Sequence, residues 1–251
     1  EEMTPALAES LPPSCARLFA VLGVERAIDA AGFVRSTGNT VWWGSDSRVE
    51  SFGQGRRGWQ VTTDRLARVL LESAREAGVH IEYRRASAED AAHSEERFVL
   101  DCTGRAGVLA RARGWRVYEP ALKTVALVGR WRHPGVWNVP DSSHTVIESY
   151  ADGWIWSVPI ASGERYIAVM VDPRSSSLEG AGARAIYLGE LRKAPRMAAL
   201  TSGATCEGGP WGWDASMYHA SCYADDRVLL VGDAASFIDP LSSAGVKKAL
   251  A

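Results

Sequence analysis

Four strand-length runs, TVALVGRW, TVIESY, WIWSVPI and RYIAVMVD, crowd into residues 124–172. Each is rich in β-branched and aromatic residues, which pack well on a pleated surface. Ala151-Asp152-Gly153 separates the second run from the third, and Ser162-Gly163-Glu164 the third from the fourth. Asp-Gly and Ser-Gly are hairpin chemistry, because glycine takes a positive φ without steric cost. The pattern predicts an antiparallel meander over 123–172.

The flanks have a different period. Residues 15–30 carry apolar side chains at helical spacing, broken at Gly23. VTTDRLARVLLESAREAG is the clearest helix: Leu66, Val69, Leu70 and Ala74 share a face, Thr62 or Thr63 can cap it, and Gly78 closes it. GNTVWWG, the stretch from Val49 to Phe52, VHIEYR and RFVLD read as strands. A helix is expected over about 180–193, stopped by Pro195, before a glycine- and tryptophan-rich loop leads to a last strand, Val228 to Val231. Helix and strand, then a sheet, then helix and strand again predict a mixed α/β (α+β) fold of two interleaved domains. The division is 1–118 with 203–251, and 119–202.

Net charge is −2, so the total favours neither nucleic acid nor an anionic membrane as a partner. No apolar run reaches the roughly 18 residues that cross a bilayer. Cys15, Cys102, Cys206 and Cys222 are scattered and form no CxxC pair. That usage predicts reduced thiols in a cytoplasmic protein and no metal site. Gly53-Gln54-Gly55-Arg56-Arg57-Gly58 has GxGxxG spacing, but Trp59-Gln60-Val61 after it is not helical. A dinucleotide fingerprint needs a helix start there, so this stretch reads as a hairpin loop.

The closing stretch RVLLVGDAASFIDPLSSAGVKKALA holds more chemistry. Gly232-Asp233 ends a strand, where a carboxylate can accept from a ribose or ribityl hydroxyl. Ala234, Ala235 and Ser236 leave room for close backbone approach. Pro240 fixes the backbone beside a flat ring. Ser243, Gly245 and Val246 lie at the start of a helix, whose N–H groups favour negative charge. Lys247 and Lys248 read as solvated or as neighbours of cofactor phosphates.

GDAASFIDPLSSAGV resembles the second flavin motif of FAD-dependent monooxygenases of the para-hydroxybenzoate hydroxylase type, and above all that of the flavin-dependent, tryptophan-type halogenases. AESLPP resembles the GES-LP segment of those enzymes, and DCTGRAGVLAR their DASGR-S strand-turn. GWQV falls where that fold sets a glutamine near the flavin chain, which makes Gln60 a candidate. The resemblance implies a Rossmann-like FAD/NAD(P)-binding domain interleaved with an antiparallel-sheet substrate domain. It also implies a GxGxxG unit before Glu1 and a helical part after Ala251. FAD is the implied cofactor, with Gln60, Gly232, Asp233, Pro240, Ser243, Gly245 and Val246 around it.

Trp154-Ile155-Trp156-Ser157-Val158-Pro159 is similar to the WxWxIP motif of the halogenases, which keeps substrate from the flavin. Trp154, Trp156 and Pro159 would form a pocket wall; buried core tryptophans fit the same pattern. The family lysine is missing, since none precedes Lys123, and Arg35 or Ser36 stands where it is expected. Arginine stays protonated and is a poor nucleophile. The expectation is therefore a halogenase-like monooxygenase or oxidase, oxidising an electron-rich aromatic substrate, free or peptide-borne, through a flavin C4a-hydroperoxide. Molecular oxygen and a separate flavin reductase would be its partners. Halogenation itself, a non-oxygenating flavin reductase and a flavin-free module are the alternatives. His144 and His219 are acid–base groups by residue type alone.

Overall fold

The structure is a computed structural model that describes residues 6–174 and 182–251. In chain order the elements are β1 (Ala8–Leu11), α1 (Cys15–Val21), α2 (Glu25–Ala30), β2 (Val34–Ser36), β3 (Gly38–Trp43), β4 (Asp46–Ser51), β5 (Gly58–Thr62) and α3 (Thr63–Glu76). Next come α4 (Ala88–Ala92), β6 (Val99–Asp101), α5 (Val108–Ala112) and β7 (Arg116–Tyr118). The strands β8 (Val125–Arg132), β9 (Thr145–Tyr150), β10 (Gly153–Ala161) and β11 (Glu164–Val171) precede α6 (Ala183–Lys193) and α7 (Pro195–Leu200). The chain closes with β12 (Thr205–Asp214), β13 (Tyr218–Ala220), β14 (Val228–Leu230), β15 (Ser236–Phe237) and α8 (Gly245–Leu250).

Two compact units result: Glu1–Ala77 with Thr124–Ala215, and Gly78–Lys123 with Ser216–Ala251. The first holds a seven-stranded sheet ordered β12-β8-β11-β10-β9-β3-β4 and a three-stranded sheet ordered β1-β5-β2. Strands β9, β10 and β11 follow one another by hairpins as expected. β8 departs from the meander: it pairs along its whole length with β11, Val125 opposite Val171 through Arg132 opposite Glu164. The far edge of β9 is taken by β3, in parallel. The expected tryptophan-rich loop is likewise a strand, β12, at one edge of the sheet. Glycine and proline hide it from propensity, and an edge is where a sheet tolerates Pro210.

One face of this sheet is closed by α6 and α7. Val146, Ile155, Ile167, Val169 and Val171 meet Tyr187, Leu191, Met197 and Leu200 in a dry core. Burying each such side chain stabilises the unit by about 1.5–3 kcal/mol before entropy is charged. Tyr187 donates to the Ile167 carbonyl at 3.0 Å and accepts from the Trp131 ring nitrogen at 2.8 Å, so its hydroxyl is satisfied inside that core. Glu148 anchors α7 by accepting from the first free amides, Arg196 at 3.1 Å and Met197 at 2.6 Å.

α3 forms as predicted, but Thr62, at its N-cap, makes no capping bond to the helix. The Thr62 hydroxyl instead bonds the Asp64 carboxylate, and the Thr63 hydroxyl accepts from Leu7 N–H at 3.1 Å. The GxGxxG stretch joins β4 to β5, which lie in different sheets, so it is a crossover and not a hairpin turn.

The second unit holds a parallel pair, β14 with β6, and a small antiparallel sheet ordered β15-β13-β7. VHIEYR adds no strand to either: Val79 is 55 % exposed and Tyr83 74 %. Alternation permits a strand, but only hydrogen bonds to a neighbour make one. All four cysteines are free thiols. Among the described residues no helix is long and apolar enough to cross a membrane, and no three His, Cys, Asp or Glu are placed to hold a metal ion.

Candidate functional site

In the second unit, β14 delivers the chain to Gly232, which takes φ +59° and opens a 3-10 turn through Ala234. A Cβ on Gly232 would stand 3.0 Å from Ala249 Cβ, so the glycine serves both the turn and the approach of α8. Asp233 follows at the strand tip, its side chain 28 % exposed. Its Oδ1 accepts from Lys248 Nζ at 3.2 Å, and its main-chain carbonyl accepts from the Tyr218 hydroxyl at 2.7 Å. Oδ2 makes no hydrogen bond among the described residues.

Ala234 and Ala235 correct an expectation. They are not laid bare: both are buried, and Ala235 packs with Leu109, Val228 and Leu230. Their small size serves the fit of β14 against α5. Pro240 starts a second 3-10 turn, capped where Asp239 Oδ1 accepts from Leu241 N–H at 2.7 Å. Burial raises the Asp239 carboxyl above the usual carboxylate range, against the pull of that bond. Ser243 sits in the left-handed region at φ 47°, reversing the chain into α8.

Gly245 and Val246 then open α8. First-turn N–H groups have no intrahelical acceptor, and theirs find none elsewhere among the described residues. A Cβ on Gly245 would meet nothing within 4 Å. One free carboxylate oxygen, two free N–H groups and open space above a glycine fit the polyol and the electron-rich edge of a flavin. The DCTGRAG turn beneath is held internally. Asp101, buried, accepts from Thr103 N–H at 3.0 Å and Leu109 N–H at 2.9 Å. A cleft in this unit lies elsewhere, lined by Ala91, Val99, Arg113 and Asp225 among others, and none of the predicted site residues borders it.

The remaining predicted residues belong to the first unit. Gln60, on β5, is 1 % exposed; its amide donates to Thr145 Oγ1 at 2.9 Å and to the Ser143 carbonyl at 3.3 Å, while Oε1 is buried without a partner. Trp154 and Trp156 stand half-buried on one face of β10, and Ile155 and Ser157 are buried on the other. Their cross-strand neighbours are Met170 and Ala168 of β11. Pro159 is buried at the end of β10, next to a register shift.

Arg35 is engaged at its own site: it pairs with Asp29, and its guanidinium lies 4.3 Å over the Trp59 ring. Ser36 is buried and donates to the Gly38 carbonyl at 3.0 Å. His144 is buried between Thr40 and Thr37, at 3.0 and 3.1 Å. His219 is exposed on β13. Sequence reading missed Arg165, wholly buried on β11, which donates to Ser157 Oγ and to the carbonyls of Ser142, His144 and Ser157. An arginine leading into the apolar run Ile167–Val171 of its strand was its only signal.

The family model for tryptophan halogenase matches residues 50–251. The flavin-dependent halogenase armH3 of Armillaria mellea is 26 % identical over 97 % of this chain and 57 % of its own length. Tryptophan 2-halogenase of Chondromyces crocatus is 25 % identical over 97 % of this chain and 52 % of its own. The crystal structure of CmlS, a flavin-dependent halogenase, superposes with a TM-score of 0.85 at 26 % identity, covering 96 % of this chain and 48 % of that one. The chain thus spans about half the length of these relatives.

Proposed function

The chain belongs to the tryptophan halogenase family, and from that premise we propose that it serves FAD-dependent halogenation of an electron-rich aromatic substrate, free or carried on a peptide. The family match carries this reading, because residues 50–251 include the whole strand-loop-helix from Val228 to Leu250. In this reading Asp233 accepts from a ribityl hydroxyl through its free oxygen. The N–H groups of Gly245 and Val246 face the electron-rich edge of the ring, beside Pro240 and Ser243. Gly232 lets the turn close; Gln60, buried in the first unit with its amide donating to Thr145 and Ser143, takes no part in this reading. When bound, FAD supplies the redox chemistry with molecular oxygen, and a separate flavin reductase delivers its electrons.

Trp154 and Trp156 form a rigid apolar wall on one face of β10, whereas Pro159 falls on the opposite, buried face with Ile155 and Ser157 and is no part of it. Two rings at period two on one strand cannot both turn away without changing register. The resemblance to the halogenase motif is what supports a shielding task for these two rings. Residues 1–118 and 203–251 make the cofactor part in this reading, and 119–202 the substrate part.

A second reading, hydroxylation, has one observation in its favour: no lysine precedes Lys123, and both Arg35 and Ser36 are committed to structural partners. One experiment separates the two. Full-length protein is supplied with FAD, a flavin reductase, oxygen and bromide, and offered indoles, phenols and pyrroles. Bromine in the product by mass spectrometry supports halogenation. An added oxygen atom without bromine supports hydroxylation. Flavin turnover with neither product removes both.

A further inference from the structure

Lys248 borders the flavin loop, yet the flavin reading leaves it without a task. It lies in the last turn of a six-residue helix, where the dipole tolerates positive charge and an exposed ammonium could simply face water. Its ammonium is nevertheless turned back into the loop. It donates to Asp233 Oδ1 at 3.2 Å and, in a shorter contact, to the Ser236 carbonyl. Both side chains of the pair are about seven-tenths withdrawn from solvent, with 29 % and 28 % exposure. Beside them Gly232 packs on Ala249. The loop is therefore closed at its neck by one apolar contact and one ion pair, while its tip, Ile238 and Leu241, stands exposed. Its neighbour Lys247 carries the same charge and is exposed to solvent.

We propose that Lys248 is a positioning residue for the cofactor. It fixes the Asp233 carboxylate at the neck of the loop and offsets that residue's charge, so that this carboxylate does not oppose a flavin that gains charge on reduction. This rests on the reading of residues 232–246 as the flavin loop. The chemistry asks for both halves of the pair. A carboxylate alone would accept the ribityl hydroxyl but repel the reduced ring, and the lysine leaves the first effect while removing the second. Only Oδ1 is spent on the ammonium, and Oδ2 stays available for a hydroxyl.

Three variants of the full-length protein test this: Lys248→Met, Lys248→Arg and Asp233→Asn, with the double variant Asp233→Asn/Lys248→Met. The measurements are the Kd of oxidised FAD and the midpoint potential of the bound flavin, with circular dichroism and melting curves as the check on folding. Lys248→Met should weaken reduced FAD about tenfold more than oxidised FAD, which for a two-electron couple lowers the potential by about 30 mV. Lys248→Arg should restore most of that shift. In the Asp233→Asn background the methionine substitution should change the potential by less than half as much, because the charge it balances is gone.

An unchanged potential in a folded Lys248→Met protein overturns the inference. So does a shift of full size in the double variant, which would mean that the lysine acts without Asp233. If neither Asp233→Asn nor Lys248→Met alters FAD binding, while the wild type binds FAD well, the flavin-loop reading itself fails. If the wild type holds no FAD, both fall together.

Discussion

At the scale of single residues, the buried polar groups of the first unit carry a pH dependence. Burial pulls the His144 imidazole below its ordinary pKa; Asp141 resists and Arg165 adds to the fall. The unfolded chain takes up this proton as pH drops below about 6.5, and the folded chain does not. The stability tied to neutral His144 is therefore complete above about 6.5 and is lost as pH falls from there toward the folded value. Urea unfolding at about pH 7.5 and about pH 5.5 should show a loss that His144→Asn abolishes; an equal loss in the variant would mean another group titrates. Burial pushes the Asp141 carboxyl up, but bonds from Thr37 and Ser143 bring it below its usual value, so its own loss comes at lower pH. Arg165, pulled down to about 9 by burial, remains charged at neutrality and is satisfied by carbonyls instead of a carboxylate. Asp233→Ala removes the one ionised acceptor at the strand tip. Equilibrium titration should show FAD affinity down by about 1–3 kcal/mol, and an unchanged affinity would take Asp233 out of the site.

At the scale of elements, α7 depends on a residue outside it. Glu148→Ala leaves the amides of Arg196 and Met197 without an acceptor in a buried corner, and should cost about 1–3 kcal/mol of stability in urea melts. Glu148→Gln, which keeps one acceptor, should cost less; equal losses would point to packing alone. Such links explain what the sequence could and could not disclose. Strands β9 to β11 were legible because period two and a glycine at each turn are local signals. The helix break at Gly23 and the start of α8 at Gly245 were legible for the same reason. β12 was not, because its glycines and Pro210 look like a loop until β8 pairs with them. α4 was missed although Ser87 and Asp90 form a capping box, with Asp in the place more often held by Glu or Gln. In the candidate site the loop itself was visible. The ion pair between residues 233 and 248 was not, since it exists only once the loop has folded back on itself.

At the scale of the molecule, each unit has its own core, and the chain crosses between them. A ligand that binds only the folded state adds its binding energy to stability. FAD at about a hundred times its Kd should raise the unfolding free energy of full-length protein by about 2.7 kcal/mol. A melt that FAD leaves unmoved would argue against a flavoprotein. The seven-stranded sheet has a further property at this scale. One margin, β4, is exposed along its length and bears Asp46, Arg48 and Glu50. The other, β12, is broken by two register shifts and carries Pro210. Charge on one border and kinks on the other leave neither flat enough to template a foreign strand, so the protein should resist edge-to-edge polymerisation even at the concentrations reached during overexpression.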